Sequence, residues 1–405
     1  MRATTLAKRL LAVTSLLTAA VEFTGTMILV HVRPQWRKPR CGECGRRGPQ
    51  YDQQESRQWR TLPWGGTAVS LVYAPRRVRC DRCGVKTEAV PWARHRARFT
   101  KDFEEMVAYM VQMTDRTTVT QMLGISWRTV GRIVERVVTE RLDSDRLAGL
   151  RKIGIDEFSY RKRHRYITVV VNHETHRVVW AGKGKGADAL EKFFQALGEE
   201  GRQAITHVTM DMAGGYIKAV TEQAPQAQIV FDRFHVQKLA GEALDEVRRE
   251  LWREQQGTPE GQFIKKSRFA LLKNPWNLTV AQRRRLHDIQ RTNQPLYRAY
   301  LLKESLAKAL DYVQPKRALD GLNDWLAWAS RSRLKPFVRL ARTIRKYKDG
   351  ILAYVRHRLT NGVVEGINNH TRVIARRAYG FHSPKALISM LFLCSGGIEL
   401  NPRLP

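Results

Sequence analysis

The chain has 405 residues, of which 43% are hydrophobic, enough for about two to four folded domains. Its formal net charge of +33 is spread along sequence with a folded composition and is not confined to a tail. A protein this basic is expected to bind a polyanion, with nucleic acid favoured over the alternatives of a ribosome-type or a membrane-surface protein. No apolar run reaches the length of a transmembrane helix.

Residues 1–38 are predicted to form an N-terminal segment, in which basic residues precede an apolar run at residues 10–21. This order is typical of a signal peptide. Hydroxyl side chains interrupt the run, however, and Glu22 ends it. The favoured interpretation is therefore a helix or strand packed on the N-terminal domain. A second apolar run, at residues 26–32, has the character of a strand.

Residues 39–92 contain two Cys-x-x-Cys pairs, each followed by glycine: Cys41, Cys44, Cys80 and Cys83. Two such turns can direct four thiolates at one ion, which is the closed tetrahedral arrangement of structural zinc. Residues 68–73 between the pairs indicate a strand, so a zinc ribbon with a hairpin between its knuckles is predicted. The alternative, two redox pairs, needs a thioredoxin-like βαβ context that is missing. Arginines crowd the second pair and are expected to touch phosphates: Arg76, Arg77, Arg79 and Arg82.

Residues 99–146 are predicted to be helical and to contain a helix-turn-helix. Gly124 marks the turn, and Ser126 can cap the second helix, whose apolar residues recur at helical spacing. The N-terminal half of that helix presents the residues expected to read DNA bases: Trp127, Arg128, Thr129 and Arg132. An ordinary helical hairpin is the alternative, and the basic character of the chain favours DNA binding.

Residues 151–236 are predicted to be the first part of an α/β core. Strands are indicated at residues 153–156, 165–172, 178–182, 207–211 and 229–231, and a helix at residues 187–197. Asp156 and Asp211 each end one of these strands. A buried acid is costly unless something pairs with it, so both are candidates for a metal site. Glu157 is the weaker candidate, because successive side chains of a regular strand point to opposite faces.

Residues 237–345 change to charged, helical sequence rich in tryptophan and are predicted to be a helical insertion domain. In one interpretation tryptophans fill its core. In the other, its basic residues contact DNA, among them Arg283, Arg284 and Arg285. The two interpretations are compatible.

Residues 346–405 are predicted to complete the core with a helix that carries a third acid, Glu365. Neighbouring apolar residues allow this helix to pack against a sheet. Arg372 and Arg376 follow at nearly two and three helical turns, and together with Arg377 they are expected to face DNA phosphates. Three acids on one sheet can hold divalent metals, because hard cations prefer oxygen ligands.

In combination these motifs resemble those of bacterial insertion-sequence transposases with a DDE catalytic core, of the ISL-three family. The resemblance covers nearly the whole chain. The segments that carry it are residues 155–157, 211–212, 231–236, 271–275 and 361–381. The paired cysteines and the helix-turn-helix resemble the N-terminal half of the same family.

The resemblance implies a multidomain α/β fold: a ribonuclease-H-like catalytic core with an all-α insertion, preceded by a zinc ribbon and a helix-turn-helix. It also implies binding to terminal inverted repeats, cleavage at the element ends, and joining of the 3′-OH to target DNA. Asp156, Asp211 and Glu365 are then the catalytic acids, which hold two Mg²⁺ or Mn²⁺ ions beside a separate structural Zn²⁺. A homodimer on bacterial DNA in the cytoplasm, without a membrane partner, is expected.

Asp232 and His235 lie in a family motif beside the core. They are expected either to orient a phosphate or a water molecule, or to be purely structural. Two other functions compete with transposition. A captured transposase could bind DNA as a regulator without cleavage, although the presence of all three acids argues against this. A structure-specific nuclease could hydrolyse DNA without joining it.

Overall fold

The structure is a computed structural model that describes residues 2–161, 165–378, 381 and 383–402. The chain divides into two compact units. Met1–Asp143 and Ile374–Pro405 make up unit 1, and Ser144–Val373 make up unit 2. Both units contain helices and strands, so the fold is mixed α/β. The domain boundaries stated above stay predictions.

Unit 1 begins with helix α1 (Ala3–Leu11). The strands that follow this helix form two sheets. These strands are β1 (Leu16–Thr24), β2 (Met27–Pro34), β3 (Gln50–Gln53), β4 (Arg57–Arg60), β5 (Ala68–Tyr73), β6 (Arg76–Cys80) and β7 (Gly84–Thr87). One sheet has the order β1-β2-β5-β4, and the other has the order β3-β6-β7. Because β2 pairs with β5, the N-terminal segment and the hairpin between the cysteine pairs share one sheet.

Helix α1 packs on the first sheet and buries Ala7 and Leu11 in a cluster that includes Leu71. Residues 10–21 therefore end a helix and begin a strand, both packed in unit 1. This confirms the interpretation of that run as packed secondary structure. The strand expected at residues 26–32 is also confirmed, as part of β2.

Three helices follow: α2 (Lys101–Met113), α3 (Arg116–Leu123) and α4 (Trp127–Arg141). Gly124 ends α3 with a φ of 58°, a left-handed conformation that glycine adopts without a steric penalty. The N–H of Thr129 donates a hydrogen bond of 3.2 Å to Oγ of Ser126, which caps α4. The turn and the cap that the sequence predicted are confirmed.

Unit 2 contains a mixed sheet of β8 (Lys152–Arg161), β9 (Arg165–Asn172), β10 (Arg177–Lys183), β11 (His207–Met210) and β12 (Gln228–Phe231). The spatial order is β10-β9-β8-β11-β12. Strands β8, β9 and β10 are antiparallel neighbours, whereas β11 runs parallel to both β8 and β12. Helices α5 (Ala187–Ala204) and α6 (Gly214–Gln223) connect the later strands. Strand β8 is therefore central, as predicted.

Strand β8 is longer than the sequence predicted, so Asp156 lies within the strand and not at its end. Its pairing with β9 extends from Ile153 to Arg161. Its pairing with β11 stops at Gly154. One edge of β8 is consequently open beside Asp156. Residues 157–161 lack an apolar run and owe their strand conformation to β9, a partner that local sequence does not reveal.

Eight α-helices follow β12 in residues 233–357. They are α7 (Arg233–Glu254), α8 (Pro259–Lys266), α9 (Arg268–Leu272), α10 (Val280–Thr292), α11 (Gln294–Asp311), α12 (Pro315–Arg331), α13 (Lys335–Lys346) and α14 (Lys348–His357). Trp325 is buried and donates from Nε1 to the carbonyl of Leu302 at 2.8 Å. Trp252 packs against the same core, whereas Trp276 and Trp328 are exposed, so tryptophans fill this core only in part. Leucine and alanine side chains, which have no polar group to satisfy, fill most of this core.

Helix α15 (Gly362–Arg377) begins in unit 2, and α16 (Pro384–Ser395) belongs to unit 1. Val364 of α15 packs directly over Gly154 of β8. A Cβ at Gly154 would lie 2.4 Å from Cγ2 of Val364, so the close approach requires glycine. Among the described residues, no helix is both long and apolar enough to cross a membrane.

Candidate active site

The three acids singled out by the sequence line one cavity of about 390 Å³ in unit 2. Asp156 comes from β8, Asp211 directly follows β11, and Glu365 lies in the first turn of α15. The cavity wall also contains Glu157, Asp232, Phe234, His235, Lys238, Asn361, Asn368 and Arg372. The parallel pairing of β8 with β11 and the contact of α15 with β8 bring together acids that are far apart in sequence.

Asp156 is half-buried, and both of its carboxylate oxygens accept hydrogen bonds. The N–H of Glu157 donates to Oδ1 at 2.8 Å, and Nδ2 of Asn368 donates to Oδ2 at 2.6 Å. Burial raises the pKa of Asp156 to about 6, and the negative charges of Glu157 and Asp211 act in the same direction. A divalent cation in the cavity would relieve this repulsion between neighbouring carboxylates.

Glu157 also borders the cavity, although successive side chains of a regular strand point to opposite faces. Burial raises its pKa, and the charge of Asp211 adds to the effect. The pairing of β8 with β9 is regular at Asp156 and Glu157, and the side chain of Glu157 hydrogen-bonds to Tyr216, which is not part of the cavity wall. Glu157 therefore stays the weaker candidate, at the edge of the cavity.

Asp211 and Glu365 differ in how firmly they are held. Oδ1 of Asp211 accepts a hydrogen bond of 3.2 Å from the N–H of Ala213. Glu365 is exposed, and its backbone N–H bonds to the carbonyl of Asn361 at 2.8 Å. Among the described residues, the four paired cysteines are the only group of three or more His, Cys, Asp or Glu side chains whose ligand atoms all lie within 4.8 Å of one another. The three acids form a more open set, in which Glu365 is the exposed member.

A chain of buried hydrogen bonds ties the start of α15 to the sheet. His173 bonds through Nε2 to Oγ1 of Thr209 at 2.7 Å, and that hydroxyl donates to Oδ1 of Asn361 at 2.8 Å. Nδ2 of Asn361 donates to the carbonyl of Ile155 at 3.4 Å. Burial lowers the pKa of His173 to about 4, so the imidazole is neutral at pH 7 and its Nε2–H donates to Thr209. Sequence reasoning missed this chain, because Asn361 before glycine indicated only a turn.

Asp232 caps α7, which supports the structural alternative for this residue. It is 2% exposed, and its Oδ1 accepts a hydrogen bond of 3.0 Å from the N–H of Phe234. Its other oxygen lies 4.0 Å from Nδ1 of His235, too far for a hydrogen bond. His235 lines the cavity, and its Nδ1 has no hydrogen-bond partner in the described part of the chain.

The four paired cysteines of unit 1 form a cluster that could hold a metal ion. The sulfur atoms of Cys41, Cys44, Cys80 and Cys83 all lie within 4.8 Å of one another. Tetrahedral zinc with Zn–S bonds of about 2.3 Å needs sulfur atoms about 3.8 Å apart, so the set fits zinc. Backbone N–H groups of Cys83 and Arg82 lower the pKa of the Cys80 thiol to about 7. This favours the thiolate that zinc requires. The cluster supports a structural zinc.

Helix α4 presents the predicted DNA-facing side chains on its outer surface. Trp127, Arg128 and Arg132 are exposed, and Thr129 is half-buried. The opposite face is buried in unit 1 through Val130, Ile133, Val134, Val137 and Val138. The amphipathic division of α4 predicted from sequence is confirmed.

Some of the other arginines predicted to contact phosphates are exposed, whereas others form ion pairs with acidic side chains of the protein. Arg372, Arg376 and Arg377 of α15 are exposed, and Arg372 also lines the acid cavity. Arg76, by contrast, pairs with buried Glu88 at 2.7 Å. Arg77 is engaged by Asp52, whereas Arg79 and Arg82 remain exposed. Of these four ribbon arginines, Arg79 and Arg82 are therefore the exposed ones that no carboxylate engages.

Three family descriptions match successive parts of the chain. Residues 37–83 match the zinc-finger of the transposases of IS204, IS1001, IS1096 and IS1165. Residues 88–138 match the helix-turn-helix domain of transposase family ISL3. Residues 153–391 match the DDE family of ISL3, described as a transposase.

Full-length relatives agree with these matches. A transposase for insertion sequence element IS1557 from Mycobacterium tuberculosis is 40% identical over 406 residues, which covers 94% of this chain and 91% of the relative. A transposase for insertion sequence element IS1001 from Bordetella parapertussis is 32% identical over 363 residues, which covers 89% of each chain.

Proposed function

Because the chain belongs to the ISL-three (ISL3) family of insertion-sequence transposases, we propose that it cleaves DNA at the ends of its element and joins the freed 3′-OH to target DNA. The observation that carries this proposal is the cavity shared by Asp156, Asp211 and Glu365. Lys238 and Arg372 line the same cavity, so a DNA phosphate bound there would lie close to cationic side chains as well as to the acids.

The three acids are proposed to hold two Mg²⁺ or Mn²⁺ ions, because clustered carboxylates supply the hard oxygen ligands these cations prefer. The fit is electrostatic, since the raised pKa of Asp156 reflects burial and carboxylate repulsion that a cation would offset. When bound, such cations activate the attacking oxygen and stabilise the leaving oxygen of an in-line displacement.

Two displacement reactions at phosphorus make up the proposed chemistry. A water oxygen attacks the phosphodiester at the element end, and the bond to the 3′ oxygen breaks to leave a 3′-OH. That hydroxyl then attacks a phosphodiester of the target: its oxygen bonds to the target phosphorus, and the bond from that phosphorus to the target's own 3′ oxygen breaks, which releases a target 3′-OH. In both steps Arg372 and Lys238 would hold the phosphate, and His235 would orient the phosphate or the attacking water. Asp232 would act indirectly, by holding the start of α7 that carries His235.

We also propose that the sheet of unit 2 is a ribonuclease-H-like core. An antiparallel β8-β9-β10 meander followed by β11 and β12 parallel to the central strand supports this assignment. The core would comprise residues 151–236 and 346–405. Residues 237–345 would be its helical insertion, between the second and third acids.

Recognition of the terminal inverted repeats is proposed to rest on α4. Its exposed Trp127, Arg128 and Arg132, with Thr129 beside them, suit a recognition helix in the major groove. Phosphate contacts from Arg372, Arg376 and Arg377 would add affinity that depends on salt. A transposition event needs two element ends, so a homodimer on bacterial DNA in the nucleoid would supply one reading helix for each end.

The test is a reaction of the protein with a labelled element end, a target plasmid and Mg²⁺. The wild-type protein is expected to give both cleaved ends and joined product. Glu365→Gln keeps the shape of the side chain and removes its charge, so it should bind the end almost normally and lose both reactions by orders of magnitude. The matched control is Glu246→Gln, which removes an acid that pairs with Arg339 outside the cavity.

Each contrary outcome has a defined meaning. Binding without cleavage by the wild-type protein would identify a DNA-binding regulator instead. Cleavage without joining would identify a nuclease. Cleavage by Glu365→Gln at nearly the wild-type rate would show that Glu365 is not the third acid.

A further inference from the structure

Asn368 of α15 holds Asp156, although nothing in its local sequence marks it as a site residue. It follows Glu365 by three positions, so both lie on one side of the helix. It lines the acid cavity and is only 2% exposed. Its Nδ2 donates to Oδ2 of Asp156 at 2.6 Å, while the N–H of Glu157 occupies Oδ1. Asn368 thereby links the helix of the third acid to the first acid.

The other end of the same amide is unsatisfied. Oδ1 of Asn368 is buried and has no hydrogen-bond partner among the residues that the structure describes. Such atoms are rare in folded proteins, because lost hydration is not replaced. Reversing the amide does not help, since Oδ1 would then face the carboxylate of Asp156, which only accepts hydrogen bonds when ionised. A donor that enters the cavity would satisfy Oδ1.

The chemistry of the cavity narrows the identity of that donor. A DNA phosphate offers acceptor oxygens and cannot donate to Oδ1. A hydrated divalent cation can do so through its water, because Mg²⁺ keeps several waters when it binds to carboxylates. Asp156 and Asp211 in the same cavity are the carboxylates that would attract this cation. Hydrogen bonds around metal sites commonly orient the ligands and the bound water.

We propose that Asn368 is a positioning residue for the divalent-cation site. Its Nδ2 holds Asp156 towards the cavity, and its Oδ1 accepts a hydrogen bond from a water on the cation. This inference rests on the proposed function, which supplies the cation at Asp156.

The experiment measures Mn²⁺ binding to the zinc-loaded full chain without DNA, by titration with electron paramagnetic resonance detection. Asn368→Ala is expected to weaken Mn²⁺ binding by about 10–100-fold. The control Val373→Ala changes an exposed residue of the same helix that does not line the cavity, and should alter the affinity less than about twofold. Asp156→Asn should abolish binding at this site.

A second variant separates positioning from a merely structural role. Asn368→Asp replaces the donor with a carboxylate that repels Asp156, so the cation-free protein should have a lower Tm. Added Mn²⁺ should then raise the Tm by more than it does in the wild-type protein. A structural role alone would lower the Tm without this larger response.

The outcomes distinguish this inference from the function on which it rests. Wild-type affinity in Asn368→Ala, together with loss of binding in Asp156→Asn, would overturn the role of Asn368 and leave the cation site intact. If Asn368→Ala does not fold, an Mn²⁺ response of Asn368→Asp no larger than that of wild type overturns the inference. Absence of Mn²⁺ binding that depends on Asp156 in the wild-type protein would overturn both proposals.

Discussion

Gly154→Ala tests whether the packing of α15 on β8 builds the active site. A Cβ at this position would lie 2.4 Å from Cγ2 of Val364, 3.0 Å from Nε2 of His173 and 3.1 Å from Oγ1 of Thr209. Carbon atoms pack at about 3.5–4.0 Å, so α15 or β8 has to move by about 1 Å. Overpacking of this kind costs about 1–3 kcal/mol. The movement also disturbs the hydrogen bonds of His173 and Thr209 that hold the start of α15.

Thermal unfolding and end cleavage are the assays. In a unit of this size, each kcal/mol corresponds to about 2–4 °C in Tm. Gly154→Ala is expected to lower the Tm accordingly and to slow cleavage, because Glu365 moves with α15. Gly366→Ala is the control on the same helix. Its added methyl group would meet no atom within 4 Å, so the variant should be neutral or up to about 1 kcal/mol more stable.

A double variant decides whether overlap with Val364 is the cause. Val364→Ala removes Cγ2 and makes room for the new methyl group at position 154. The double variant should therefore be more stable than the sum of the two single effects predicts, by about 0.5–3 kcal/mol. Additive effects within about 0.5 kcal/mol would refute the reasoning. So would a Gly154→Ala protein with wild-type Tm and cleavage rate.

Three further predictions concern the zinc cluster, the reading helix and the first acid. Elemental analysis is expected to find one zinc per chain in the wild-type protein and none in Cys80→Ser, whose ribbon should unfold because such sites couple metal binding to folding; a folded, zinc-free wild-type protein would contradict this. Arg128→Ala and Arg132→Ala should each weaken binding to the element end by about 1–3 kcal/mol in a salt series, and unchanged affinity would reject α4 as the reading helix. The raised pKa of Asp156, about 6 against 3.8, means that the cation-free native state binds the proton more tightly, so this group's contribution to stability falls as pH rises through that window. Because the pKa of His173 is lowered from 6.5 to about 4, its contribution to stability rises with pH in that range and opposes the effect of Asp156. The measurement is therefore the pH dependence of the free energy of unfolding, compared between the wild-type protein and Asp156→Asn. An unchanged pH dependence in that variant would count against the assignment.

Local sequence was sufficient where neighbouring residues alone determine the structure. The turn at Gly124 and the cap at Ser126 depend on backbone conformation and hydrogen bonds within a few residues. The cysteine pairs were recognisable for the same reason, since each pair forms within one turn. Strand β9 was also predicted with its observed limits, because a long β-branched run has few other conformations available.

Distant partners decided the features that the sequence missed. Strand β8 continues past Asp156 because β9 pairs with it as far as Arg161, whereas β11 pairs with it only as far as Gly154. Which tryptophans are buried likewise depended on how the helices pack. Trp325 donates a hydrogen bond to a backbone carbonyl inside the core, whereas Trp276 is exposed at the surface.

The candidate site shows both contributions. The sequence by itself determined which residue types were available, and it singled out Asp156, Asp211 and Glu365 as candidate acids. Only the tertiary structure placed them around one cavity and revealed Asn361 and Asn368 as the side chains that tie α15 to the sheet. An asparagine is common in turns and on helix surfaces, so its identity carries little information. Its role comes from burial and from hydrogen-bond partners more than 150 positions away, which exist only once the sheet and the helix have packed together.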